Sequence, residues 1–107
     1  MPYNIELEGK IEALIAPGFE KKKMFGGIGY LFKGNMGFGI YRDSLVLRLG
    51  EENAERLLRE KNTRPFDITG RAMKGWLMVE KAGWSDNDKL AAWLDLARAH
   101  ALGLPEK

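Results

Sequence analysis

The sequence contains no cysteine, a single histidine and only four prolines in 107 residues. Without cysteine the chain can form no disulfide, no thiolate nucleophile and no thiolate zinc site. One histidine excludes a multi-histidine metal centre, and a Ser–His–Asp triad would have to use His100. No apolar run approaches the roughly 20 residues of a membrane span. The opening MPYNIELEGK lacks the basic flank and apolar core of a signal peptide. These absences lead us to expect a soluble, unprocessed, cytoplasmic protein without membrane contact. Charge of one sign is also missing: 17 basic against 15 acidic side chains leave +2, too little for nucleic-acid binding by bulk electrostatics.

What is present is enough for one domain, since a chain of this length buries ~65% of its extended surface. We expect a single domain over residues 1–107, without a linker or internal repeat. The positive charge is concentrated mid-chain, where residues 17–50 carry Lys21, Lys22, Lys23, Lys33, Arg42 and Arg48 against Glu20 and Asp43.

Asn4 is placed to cap a helix whose Leu7, Ile11, Leu14 and Ile15 recur at helical spacing until Pro17-Gly18. From about 22 to 49 the period becomes two: Tyr30 and Phe32, Phe38 and Ile40, then Leu45, Leu47 and Leu49. Gly34-Asn35 and Arg42-Asp43 fall between these runs as turns of an antiparallel meander. EENAERLLREK then predicts a short helix after Gly50, with acidic residues in its first turn. The stretch containing Pro65, Gly70 and Gly75 predicts an irregular connection with a short edge strand at 66–68. WLMVEK predicts a further strand, and Ser85 with Asp88 a capping box before a final helix carrying Leu90, Trp93, Leu94, Ala97 and Ala101. The order helix, strands, helix, strand, helix is α+β, an antiparallel meander with the helices on one face.

The glycines of KKKMFGGIGYLFKGN raise the question of a phosphate cradle. A dinucleotide fingerprint needs a third glycine where Phe32 stands, and a Walker loop needs Lys and Ser or Thr where Asn35 and Met36 stand. Both fail. Gly26 and Gly27 are expected to make a bulge or tight bend, and Gly29, Gly37 and Gly39 to leave bare backbone for a close-packed helix.

The segments KMFGGIGYLFKGNMGFGIYRDSLVLRLGEEN and DITGRAMKGWLMVE resemble the N-terminal domain of the TfoX/Sxy family of bacterial competence regulators, over about residues 5–104. The resemblance implies an α+β domain. For the two-domain regulators it implies a role assisting the cyclic-AMP receptor protein at competence promoters. Those regulators continue into a second helical domain that this sequence does not supply, so a short stand-alone member is expected and the resemblance reaches the fold further than the promoter role.

No catalytic constellation emerges. His100 is expected at the flank of the last helix, where the dipole favours a partly charged imidazole. Asp86 and Asp88 are expected to stabilise a helix start. Glu51, Glu52 and Glu55 are expected on a solvated helix face. Most aromatic residues match core faces, leaving Phe25, Tyr41 and Trp84 as the expected partly exposed members. The expectation is therefore a non-enzymatic regulatory module needing no cofactor or metal, with a protein partner. A weak nucleic-acid binder using the basic residues from 21 to 48, Arg64, Arg71 and Lys74 is the second reading, and a small-molecule-binding protein or enzyme the third. Monomer and homodimer are both compatible with the sequence. The expected interaction patch joins Lys22, Met24, Phe25, Gly26 and Gly27 to Arg71, Met73 and Lys74, two segments taken to lie near one another because each sets basic side chains beside an apolar one.

Overall fold

The computed structural model describes residues 3–15, 18–24, 26–67 and 70–105. Helix α1 spans Ile5–Leu14, and its cap Asn4 accepts from the Leu7 N–H. Four strands follow, β1 (Glu20–Met24), β2 (Gly27–Phe32), β3 (Asn35–Tyr41) and β4 (Ser44–Arg48). Next come α2 (Glu51–Leu57), β5 (Thr63–Pro65), β6 (Trp76–Val79), α3 (Lys81–Trp84) and α4 (Asn87–Leu102). The described strands form one antiparallel sheet in the order β1-β2-β3-β4-β6-β5.

The β2–β3 turn is Lys33-Gly34, one residue earlier than Gly34-Asn35. Both turn residues have positive φ, 51° and 83°, as the tight turns that match strand twist require. Asn35 already belongs to β3, where its buried side chain donates to the Pro105 carbonyl. The edge strand lies at Thr63–Pro65; of the expected 66–68, residues 66 and 67 belong to no strand and residue 68 lies outside the described residues. Pro65 is tolerated because one side of an edge strand needs no ladder donor. Asp86, not Ser85, caps α4 and accepts from the Asp88 and Lys89 N–H groups. The four-residue α3 was not anticipated, because Gly83 within it reads as a breaker.

Alternation along the strands sorts side chains between two faces. On one face Ile28, Tyr30, Phe38, Ile40, Leu45, Leu47, Leu77 and Val79 pack with residues from all four helices, among them Leu7, Ile11, Ala54, Leu57, Trp84, Leu90 and Leu94. Trp84 is fully buried there, a correction to its expected exposure: its ring fills the core while its N–H reaches a carbonyl. The opposite face holds a second, smaller cluster of Met36, Val46, Phe66 and Met78, flanked by Met24, Leu31, Tyr41 and Trp76. Among the described residues no helix contributes to it.

Candidate functional site

Pairing register places six residues in one row across the helix-free face. Lys22 lies opposite Gly29, Gly29 opposite Gly39, Gly39 opposite Val46, Val46 opposite Met78, and Met78 opposite Arg64. At strand spacing the row runs about 24 Å. Its floor is bare backbone at Gly29 and Gly39, and methionines fill the space. A Cβ at Gly29 would meet the Met24 sulfur at 2.5 Å, and one at Gly39 would meet Met36 Cε at 2.8 Å. Gly29 therefore accepts the Met24 side chain, and Gly39 the close approach of the Ile28 carbonyl as well as Met36, rather than a helix. Of the three expected to lie under a helix, Gly37 does so, with Ala101 of α4 at 3.4 Å from its would-be Cβ.

Above this floor Met24, Leu31, Tyr41 and Trp76 are half-buried. Two guanidinium groups lie over the aromatic rings, Arg42 at 5.3 Å from the Tyr41 centroid and Arg48 at 5.8 Å from that of Trp76. Neither arginine pairs with a carboxylate among the described residues. At the row's ends Lys22 bonds Glu20 at 3.2 Å and Arg64 approaches Glu80 at 3.8 Å, both in solvent. The Trp76 ring, stacked on Phe66, also walls a cleft of about 380 Å³ against α2, and Leu58 and Met73 line that cleft as well. Leu58 and Met73 are two of the large apolar side chains the fold leaves exposed.

The expected patch is thus not contiguous. Lys22 and Met24 lie on edge strand β1, whereas Arg71, Met73 and Lys74 occupy the exposed turn leading into β6, about 19 Å away across four strand spacings. The separation arises because β6 inserts beside β4, a long-range pairing that spacing along the chain does not reveal. Gly26 has φ 80° in the β1–β2 turn, and Gly27 packs its backbone against the Ile40 carbonyl. Phe25 lies outside the described residues. Arg48, Trp76, Leu31 and Met36 stand outside the expected patch. The signal for them was that β2, β3 and β4 carry apolar residues at both parities, the pattern of a sheet buried on two faces.

The densest cluster of titratable groups joins α1 to β1. Lys21 bonds Glu8 at 3.1 Å and Glu12 at 2.8 Å, Tyr30 donates to Glu12 at 2.9 Å, and Tyr3 donates to Glu8 at 3.3 Å. Hydrogen bonding, first from Lys21, holds the Glu12 carboxyl below its usual range. Burial, and then the Glu12 carboxylate, push the Tyr30 phenol far above its own. Both groups are driven away from neutral pH, the reverse of what a general acid or base requires. The cluster ties α1 to the sheet.

His100 lies against Gly50, whose would-be Cβ is 3.0 Å from the imidazole. Burial, and secondarily the charge of Arg48, lower its pKa. The expected partly charged imidazole is therefore corrected to one biased toward neutrality. Among the described residues no group of three His, Asp or Glu is arranged to hold a metal. No helix among them is long and apolar enough to cross a membrane.

The TfoX N-terminal domain model matches residues 13–101, most of the 107-residue chain. The chain belongs to the TfoX N-terminal domain family. This makes it a competence-regulator-like domain, with the antiparallel α+β architecture described above. Neither a curated protein nor a solved structure matches it.

Proposed function

We propose that this TfoX N-terminal domain is a non-enzymatic, cytoplasmic regulatory module of bacterial transcription that binds another protein through the helix-free face of its sheet. One observation carries the reading: Arg42 and Arg48 lie over Tyr41 and Trp76 without carboxylate partners among the described residues, beside half-buried Met24 and Leu31. Aromatic rings, arginine and adaptable methionine are the composition of binding surfaces. Lys22 and Met24 supply one end of this surface, and Arg71, Met73 and Lys74 the other. The cations call for an acidic partner segment with apolar anchors, and like charges disfavour a second copy of the same face. Strand addition at the sheet edges is opposed by the lysines of β1 and by the short, Pro65-ended β5.

The test is capture from the native host's lysate by wild type, by Arg42→Glu with Arg48→Glu, and by Arg98→Glu on α4 as control, each with and without nuclease. The reading expects one protein retained by wild type and control, lost with the double variant and indifferent to nuclease, with cross-links mapping to the face. Retention by a folded double variant would refute it. Cations among aromatic rings also suit single-stranded nucleic acid. Loss of capture on nuclease treatment, with binding that weakens steeply as salt rises, would establish that second reading instead.

A further inference from the structure

A second cleft lies on the other side of the molecule and plays no part in the face just described. It opens between the α2–β5 turn and α4, has a volume of about 600 Å³, and is floored by Leu57, Gly83 and Trp93. That volume is within the roughly 300–1,000 Å³ usual for small-molecule sites. Three cations line it, Arg59 and Lys61 from the turn and Lys89 from the first turn of α4, against a single acid, Glu60. None of the three forms an ion pair among the described residues.

The walls are held in place. The Trp93 indole N–H donates to the Gly83 carbonyl at 3.1 Å, which fixes the half-buried ring. The Thr63 hydroxyl bonds the Leu57 and Glu60 carbonyls at 3.1 and 2.8 Å, and the Asn62 carbonyl accepts from the Glu80 N–H at 2.8 Å. Asn62 takes φ 65°, so the cation-bearing turn has a defined and unusual backbone. Gly83 permits this closure, since a Cβ there would lie 2.6 Å from Val79 Cγ1 and 3.0 Å from Asn62 Cβ. Beside Trp93, Leu96 is left 38% exposed.

We infer that this cleft binds a small planar aromatic anion with the chemistry of a nucleoside phosphate, its ring against Trp93 and Leu96 and its negative charge among Arg59, Lys61 and Lys89. An aromatic platform beside unpaired cations matches such a ligand on both counts. The ring gains stacking and apolar contact, and the phosphate oxygens gain charge-assisted hydrogen bonds. Either half alone should bind poorly, because each would leave the other wall of the cleft in water.

The test uses the full chain and three probes: adenosine diphosphate, adenosine without phosphate, and inorganic pyrophosphate without a ring. In ¹⁵N–¹H spectra the diphosphate should saturably shift the Trp93 indole N–H and the amides of residues 59–62 and 89. Adenosine and pyrophosphate should each bind about tenfold more weakly or worse. Arg59→Glu with Lys61→Glu should lower diphosphate affinity by a similar factor at unchanged Tm. Absence of saturable shifts would overturn the inference. So would equal binding of pyrophosphate, equal binding by the folded charge-reversal variant, or shifts confined to the helix-free sheet face.

Discussion

The indole N–H of Trp84 donates to the main-chain carbonyl of Asp43 at 2.9 Å, spanning 41 positions of sequence. The same turn is gripped from the other side, because the Asn4 side chain donates to the Asp43 carboxylate at 2.9 Å and the Asn4 N–H to the Arg42 carbonyl at 2.8 Å. Asn4 also caps α1. Three elements therefore meet at the β3–β4 turn, which also presents Arg42 to the helix-free face.

Trp84→Phe should lower stability by about 2 kcal/mol, combining a lost hydrogen bond with an unfilled part of a fully buried site. Urea denaturation measures this. A change within about 0.5 kcal/mol would show that the turn holds without the indole.

Gly27 and Gly29 should respond differently to alanine. A side chain at 27 meets the Ile40 carbonyl, which is backbone and cannot yield, whereas one at 29 meets the Met24 thioether, which can change rotamer. Gly27→Ala should cost about 3 kcal/mol and Gly29→Ala less than about 1.5 kcal/mol. Thermal melts that reverse this order would contradict the packing described for the face.

The Glu12 cluster predicts acid sensitivity with a defined sign. A carboxyl whose folded pKa is depressed contributes stability that is present above its unfolded pKa, about 4.3, and is lost as pH falls through the folded value. Lys21, whose pKa is raised by Glu12 and Glu8, keeps its contribution until pH rises above the usual lysine range. The stability difference between wild type and Glu12→Gln should hence be flat from about pH 5 to 9 and shrink below pH 4. Parallel curves down to pH 2 would show that Glu12 does not carry the effect.

Chelation should leave Tm unchanged, since the described residues assemble no cluster of metal-ligating side chains. A fall of several degrees on adding EDTA would show that a structural ion contributes to the fold.

The sequence was informative wherever the controlling interaction is local. Asn4 was legible as the α1 cap because capping is settled within four residues, and the burial of Leu90, Leu94, Ala97 and Ala101 followed from helical period alone. It misled where a distant pairing decides. The insertion of β6 beside β4 carried residues 70–75 away from Lys22. The role of Gly29 depended on where Met24 turns its side chain, and that of Gly39 on the approach of the Ile28 carbonyl and Met36, which no spacing rule encodes. The full burial of Trp84 was not legible, because the carbonyl that satisfies its N–H belongs to a turn far back in the chain.

Strand order also sets a route for folding. From β1 to β4 each strand pairs with its neighbour in sequence, so each pairing closes only a short loop. The β4–β6 ladder, with Arg48 opposite Trp76, must instead close over α2, β5 and the turn that follows. Closure entropy rises with loop length, and β5 reaches the rest of the sheet through its pairing with β6. The meander is therefore the natural nucleus. The half of the helix-free face that contains Trp76, Met78 and Phe66 is completed last in folding and should be the first part to open in the native state.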